Sequence, residues 1–152
     1  MSDPTTTTDT ARHLIRDRGL RATAGRVAVL ALLMEHGVPM SHAEVFETLR
    51  GSQWDRTTIY RNLVDMAEVG ILHRSELGDR VWRFEYLADE HDPTSHPHFV
   101  CTDCGTVECL TDFNMPPTAP ARDPKEGHVP VSLLQGDVEV TFRGQCDTCR
   151  DI

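Results

Sequence analysis

The stretch that decides the fold runs from Asp55 to Tyr86 and reads DRTTIYRNLVDMAEVG followed by ILHRSELGDRVWRFEY, with a change of period after Gly70. The first part predicts a helix over residues 56–69 that Asp55 can cap, because apolar residues recur at helical spacing: Ile59, Leu63 and Met66. The second part alternates, which predicts strands over residues 71–75 and 80–86 around a turn at residues 77–79.

Further helices are predicted upstream of this stretch. One ends at Gly19, a second spans residues 23–35 before Gly37, and a third begins after Ser41, where Glu44 completes a capping box. Three or four short helices followed by a β-hairpin form the winged-helix variant of the helix-turn-helix. In that fold the last helix enters the major groove of DNA.

The polar face of this last helix is therefore a candidate DNA-binding surface. An ordinary solvated helix face is the alternative. The wing that follows and the local charge favour DNA. The predicted face carries Thr57, Thr58, Tyr60, Arg61 and Asn62.

The charge of the chain is unevenly distributed. The whole sequence has 15 basic and 24 acidic side chains, a formal charge of −9, which argues against a phosphate-rich partner. Residues 1–86 hold 11 basic and 12 acidic side chains, net −1, whereas residues 87–152 hold 4 and 12, net −8. Between Ala11 and Arg61, 8 arginines face 5 acids, and arginine can bind phosphates or guanine edges in a bidentate manner. Binding to nucleic acid is thus compatible with the first half.

The amino-acid composition also changes near residue 87, where the charge changes, and this predicts an α+β protein of two domains. We expect a winged-helix domain over residues 1–86, a hinge over 87–95, and a metal-binding and dimerisation domain over 96–152. The longest apolar run has eight residues, too few for a membrane span, and the N-terminus lacks the pattern of a secretory signal. We therefore expect a cytoplasmic protein with no membrane partner.

Two C-x-x-C motifs, separated by 41 residues, predict a structural zinc site in the second half. The predicted ligands are Cys101, Cys104, Cys146 and Cys149. A thioredoxin-like redox motif would need a single C-x-x-C at a helix N-terminus within a βαβ unit, and a zinc deaminase would need His-x-Glu and an open coordination position. Neither pattern is present, so we expect the protein not to be an enzyme.

A second set of metal-ligating side chains remains once those four cysteines are assigned. His96 and His98 alternate in a strand-like segment, Cys109 is a spare thiol, and Glu85 ends the wing. Two imidazoles, one thiolate and one carboxylate suit Zn²⁺, with Fe²⁺ or another divalent ion as alternatives. The competing interpretation is a group of polar surface residues beside a structural site. A metal there would fix the hinge and couple metal affinity to DNA affinity.

These motifs resemble the ferric uptake regulator family. The resemblance rests on residues 21–26 (RATAGR), 55–63 (DRTTIYRNL) and 83–85 (RFE), and on the H-x-H-x-x-C-x-x-C-G and terminal C-x-x-C motifs, in that order. It implies a homodimeric, metal-dependent repressor that binds double-stranded operator DNA. By the same resemblance, Tyr60 and Arg61 lie on the recognition helix, Arg21 and Arg26 lie near phosphates, and Glu85, His96 and His98 are regulatory ligands.

The chain also departs from the family pattern. Cys109 stands where relatives commonly have an acidic ligand, which favours a softer ion, so we expect regulatory Zn²⁺, with Fe²⁺ or Mn²⁺ as alternatives. Pro39 replaces a histidine of iron-responsive members, and His42 could substitute for it or be an ordinary exposed residue. Prolines predict an irregular loop over residues 115–127 in place of the family's dimerisation helix.

Two functions remain open beside metal-dependent repression. A peroxide-responsive or other redox-responsive regulator of the same fold would use Cys109 as a sensing thiol, or Fe²⁺ that oxidises its own ligands. The second open function is that of a zinc-stabilised module that binds protein and not DNA.

Overall fold

A computed structural model describes residues 4–86, 97–110, 112–113 and 140–150 of the chain. The chain divides into two compact units, Met1–Ala88 and Asp89–Ile152. The predicted hinge and the predicted proline-rich loop over residues 115–127 lie outside the described residues, so both stay predictions. In the described part of the chain, no helix combines the length and the apolar character that crossing a bilayer requires.

Helices make up most of the N-terminal unit, and their ends lie close to the predicted ones. They are α1 (Pro4–Asp17), α2 (Ala24–His36), α3 (His42–Thr48) and α4 (Arg56–Glu68). The Ser41 hydroxyl and the Glu44 carboxylate form the predicted capping box at the start of α3. The predicted Asp55 cap is also present, because its carboxylate accepts a hydrogen bond of 2.7 Å from the backbone N–H of Thr58. Local sequence signals thus fix where α4 begins.

A three-stranded antiparallel sheet with the order β1-β3-β2 completes this unit. Its strands are β1 (Met40–Ser41), β2 (Leu72–Glu76) and β3 (Trp82–Tyr86). The β2–β3 hairpin is the predicted wing, with Leu72 opposite Tyr86 and Glu76 opposite Trp82. Four helices and this hairpin confirm the winged-helix prediction.

The core of the N-terminal unit lies between the helices and one face of the sheet. Side chains that are fully or almost fully buried include Ile15, Leu30, Leu33, Ile59, Leu63, Met66 and Phe84. The apolar stripe predicted for α4 is therefore confirmed. The prediction that Asn62 lies on the polar face was wrong, since Asn62 is only 7% exposed. Asn62 is three residues after Ile59 and four before Met66, so helical periodicity places it beside the buried stripe.

The C-terminal unit contains a second three-stranded sheet, with the order β5-β4-β6. Its elements are β4 (His98–Cys101), β5 (Val107–Cys109), β6 (Thr141–Gly144) and a single helical turn, α5 (Asp147–Arg150). β4 pairs with β5 in antiparallel fashion and with β6 in parallel fashion.

Candidate metal centre and nucleic-acid interface

The structure brings the four predicted zinc ligands together. Their sulfur atoms lie within 4.8 Å of one another, and the Sγ atoms of Cys104 and Cys146 are 3.7 Å apart. Four sulfurs at about 2.3 Å from a tetrahedral Zn²⁺ would be about 3.8 Å from each other. The donor set and its spacing therefore fit a closed, four-coordinate zinc site, in which the metal would crosslink the two ends of the C-terminal unit.

Local structure explains why the two C-x-x-C motifs meet. The first begins at Cys101, the last residue of β4, and after it Gly105 has a φ of 74° and lets the chain turn back into β5. The second lies in the turn from β6 into α5. Hydrogen bonds also join the two segments: the backbone N–H of Cys146 donates to Cys101 Sγ at 3.3 Å, and the Gln145 amide donates to the Asp103 carboxylate at 2.8 Å.

The acidity of the cysteines differs within the cluster. Hydrogen bonds from the backbone N–H groups of Cys104 and Cys146 lower the pKa of Cys101 to about 6. Hydrogen bonds to the sulfurs of Cys146 and Cys104 raise the pKa of Cys149 to about 12. One thiolate is thus stabilised by the protein alone, whereas four adjacent thiolates need a cation to compensate their charge.

Two of the predicted regulatory ligands lie side by side in the C-terminal unit. His98 and Cys109 are cross-strand neighbours of β4 and β5, and their ligand atoms lie within 4.8 Å of each other. His98 is fully buried and Cys109 is half-buried. His96 lies outside the described residues. In the N-terminal unit, Glu85 is the next-to-last residue of β3 and is 3% exposed, which is unusual for a carboxylate.

His42 contacts the predicted recognition helix. Its Nε2 atom lies 2.9 Å from the backbone carbonyl oxygen of Arg56. Its ring makes an edge-to-face contact with the ring of Tyr60, and the two ring centroids are 5.4 Å apart. This nitrogen already has a partner in the first turn of α4, and the assignment of His42 as a metal ligand stays a prediction. The sequence could not signal this contact, which depends on the packing of α3 against α4.

The first turns of α4 present most of the predicted DNA-binding side chains to solvent. Thr57, Tyr60 and Arg61 are exposed and Thr58 is half-buried; the exposed fraction of Tyr60 is 42%. Tyrosine and arginine at the start of a recognition helix can reach base edges and phosphates in the major groove.

The two arginines near α2 behave differently. Arg21 is exposed, as a phosphate-binding residue requires. The side chain of Arg26 is only 17% exposed; it forms an ion pair with Asp65 of α4 and donates to the backbone carbonyl of Arg21 at 3.0 Å. In the structure Arg26 therefore holds α2 against α4, and its predicted place near a phosphate stays a prediction. Sequence analysis missed Asp65 as its partner because the two residues are 39 positions apart.

The fold and these sites together define a winged-helix protein whose second unit carries a four-cysteine centre with the geometry of a zinc site. The sequence profile described as the ferric uptake regulator family matches residues 17–127. The chain belongs to this family, which confirms the resemblance seen in the sequence. Members of the family are transcriptional regulators and not enzymes.

Individual relatives agree with this assignment. The ferric uptake regulation protein of Haemophilus ducreyi is 32% identical over 99 residues, which cover 62% of this chain and 64% of that protein, just under two thirds of its length. The Vibrio cholerae ferric uptake regulator, whose structure is described as showing rearranged DNA-binding domains, has a TM-score of 0.64 at 22% identity; the match covers 89% of this chain and 98% of that one. A zinc uptake regulator complexed with zinc and DNA has a TM-score of 0.59 at 17% identity over 99% and 97% of the two chains. These structural matches show the shared fold.

Proposed function

We propose that the protein is a transcriptional repressor that binds operator DNA as a homodimer when a regulatory divalent metal is bound. The observation that carries the proposal is the exposed first part of α4, with Tyr60 and Arg61 at the surface of a winged-helix unit. Arg21 supplies a further exposed cation in the same unit. The Vibrio regulator has DNA-binding domains, and the zinc uptake regulator was studied with DNA, which supports the same role for this chain.

The four-cysteine centre supplies stability in this proposal. It would hold Zn²⁺ permanently, because four thiolates leave no coordination position for exchangeable ligands. The unit that depends on it has few buried apolar side chains among its described residues, chiefly Val100 and Cys101. A crosslinking metal would therefore contribute much of its folding free energy.

The regulatory metal is assigned to a second site. His98 and Cys109 form its core, because a buried imidazole beside a half-buried thiol is a suitable donor pair for Zn²⁺. Glu85 and His96 complete the proposed ligand set on the strength of the sequence. The thiolate favours Zn²⁺ over Fe²⁺ or Mn²⁺, which prefer harder donors.

DNA binding is tested with two surface substitutions on α4. We expect Tyr60→Ala and Arg61→Ala each to weaken binding of DNA from upstream of the protein's own gene by roughly 10-fold or more, since lost base contacts cost about 1–3 kcal/mol each. Arg12→Ala is the matched control, because this arginine is already paired with Asp9 at 2.8 Å. Unchanged affinity in both α4 variants would favour the protein-binding module.

The second metal is tested by elemental analysis of the purified full chain. Two metal ions per chain are expected in the wild type and one in Cys109→Ser or His98→Ala, with the thermal stability of the N-terminal unit unchanged. One metal per chain in all three proteins would remove the regulatory site from the proposal.

Redox sensing is the second candidate function, and the half-buried thiol of Cys109 next to His98 is the observation that favours it. Peroxide would then modify Cys109 or add oxygen to a histidine. Mass spectrometry after peroxide treatment separates the two functions. Oxidation at these residues together with loss of DNA binding would favour redox sensing, whereas intact side chains with full DNA binding would favour metal sensing alone.

A further inference from the structure

The N-terminal end of α4 carries an arginine that the proposed function does not yet use. Arg56 is the first residue of α4, and its side chain is 60% exposed. Tyr60 follows four residues later, so the two side chains lie on the same face of the helix. In a helix-turn-helix protein, the N-terminal residues of the recognition helix are the ones that contact base edges. Arg56 therefore lies beside Tyr60 on the surface that is proposed to face the DNA.

Residues of α3 hold Arg56 in one orientation. The guanidinium carbon of Arg56 lies 4.6 Å from the centroid of the Phe46 ring, which is a cation–π contact. Phe46 is half-buried and packs against the core of the N-terminal unit, so its ring is a fixed platform. The Nε2 atom of His42 donates to the backbone carbonyl of Arg56 at 2.9 Å and holds the backbone of the same residue. A long side chain that is already ordered loses less conformational entropy when it binds a ligand.

Two carboxylates near Arg56 keep their charge and affect which ligand it can bind. One oxygen of Glu47 lies 4.0 Å from Arg56 Nη2, and the other lies 3.5 Å from Arg50 Nη1. Asp55, the residue before Arg56, caps α4 with its carboxylate. These negative charges would repel a phosphate group, whereas the edge of a base pair carries no net charge. Both ion pairs of Glu47 are exposed and weak, so the guanidinium of Arg56 stays available to a neutral acceptor.

We propose that Arg56 determines part of the DNA sequence specificity by binding the O6 and N7 atoms of a guanine in the major groove. This inference rests on the proposed function, because it assumes that α4 enters the groove. A guanidinium presents two parallel N–H groups that match these two acceptors, and no other base offers the same pair of acceptors there. Phe46 is a positioning residue, since it acts by holding the plane of the guanidinium and not by touching the base.

The test compares the affinity of full-length, metal-loaded protein for a set of DNA duplexes. The parent duplex is the segment upstream of the protein's own gene that the wild type protects in footprinting. Each variant duplex changes one base pair in both half-sites. At one G·C pair, a change to A·T should weaken wild-type binding by at least about 10-fold. Arg56→Ala should bind these two duplexes with affinities within about twofold of each other and should keep its discrimination at every other base pair.

Phe46→Leu separates the positioning of Arg56 from the folding of the unit. This substitution keeps an apolar side chain against the core and removes the aromatic platform. It should lower discrimination at the same base pair and at no other, and the double variant should lose no more discrimination than Arg56→Ala alone. A protein that is merely destabilised would lose affinity for all duplexes alike. Such a uniform loss in Phe46→Leu would overturn its positioning role.

Arg50→Ala is the matched negative control, because Arg50 pairs with the same Glu47 carboxylate but lies outside α4. Arg61→Ala is the positive control. If Arg61→Ala weakens binding while Arg56→Ala keeps the wild-type discrimination at every base pair, the assignment of Arg56 is overturned and the proposed function stands. An equal loss for all duplexes, with the slope of log K against log salt reduced by about 1, would make Arg56 a phosphate ligand and would also overturn the assignment. If the wild type binds none of the duplexes, the proposed function itself fails.

Discussion

Replacing Asp79 by asparagine removes the charge that holds Arg83 in the wing. The Arg83 side chain is 5% exposed, and its two terminal nitrogens lie 2.9 and 2.7 Å from the two Asp79 carboxylate oxygens. The Asp79 side chain is 30% exposed. The substitution therefore leaves a buried guanidinium with a neutral partner that can accept only one of these two hydrogen bonds.

The expected loss in the free energy of unfolding lies between the values for a buried and for an exposed ion pair. Breaking a fully buried ion pair costs about 3–5 kcal/mol, whereas an exposed pair contributes about 0–1 kcal/mol. Because water reaches Asp79 but hardly reaches Arg83, we expect Asp79→Asn to lower the free energy of unfolding of the N-terminal unit by about 2 kcal/mol. For a unit of this size the melting temperature should fall by roughly 10 °C.

The Asp79–Arg83 pair also predicts how the stability difference between the wild type and Asp79→Asn depends on pH. The hydrogen bond from Arg83, together with one from the backbone N–H of Val81, holds the pKa of Asp79 below its ordinary value of 3.8. A lowered folded-state pKa means that the stabilisation is fully present above pH 3.8 and is lost as the pH falls through the folded-state value. The stability difference between wild type and Asp79→Asn should thus be constant at neutral pH and should shrink in acid.

Urea unfolding monitored by tryptophan fluorescence provides the measurement, with Arg83→Met as the background for a double-mutant cycle. In that background the buried charge is gone, and Asp79→Asn should cost less than about 0.5 kcal/mol. An equal cost in both backgrounds, or a cost below about 0.5 kcal/mol in the wild type, would refute the argument that the ion pair stabilises the wing.

Three other substitutions or treatments have defined outcomes. Gly25→Ala would bring a Cβ to 3.1 Å from Asn62 Nδ2 and 3.2 Å from Trp54 Nε1, so the loss of stability on thermal unfolding should be about 1–3 kcal/mol. Ser41→Ala removes the cap of α3 and should cost about 1 kcal/mol by the same measurement, with no change in metal content. Cys149→Ser, or a chelator strong enough to remove structural zinc, should unfold the C-terminal unit in hydrogen exchange and leave protection of the N-terminal helices intact. Protection that is lost equally in both units would contradict the separate role of the metal.

The sequence predicts much of the N-terminal unit because its signals are local. Caps at Ser41 and Asp55, glycines at helix ends and the change of period at Gly70 all act within a few residues. A capped amphipathic helix followed by alternating apolar and polar residues is compatible with few folds other than a helix and a hairpin. The four-cysteine cluster is predictable for a related reason, since two C-x-x-C motifs bring a strict geometric requirement with them.

The sequence gives no signal of contacts between polar side chains that lie far apart along the chain. Arg26 looks like a surface cation until Asp65, on another helix, is known to be its neighbour. The contact of His42 with Tyr60 likewise depends on the packing of α3 against α4. The prediction for Asn62 was wrong for a local reason, because its position on the helix, and not its polar residue type, indicates burial. For Arg26 and His42, contacts between helices decide which groups the side chain meets.

The central claim is that a metal at the second site controls DNA binding, and a titration tests it most directly. Zn²⁺ is added to chelated full-length protein, and affinity for DNA from upstream of its own gene is followed by fluorescence anisotropy in wild type and Cys109→Ser. The account predicts that wild-type affinity rises at least about 10-fold as the second equivalent binds, and that DNA tightens metal binding by the same factor. Cys109→Ser should lack this second step. Equal DNA affinity with one and two metal ions per wild-type chain would contradict the account.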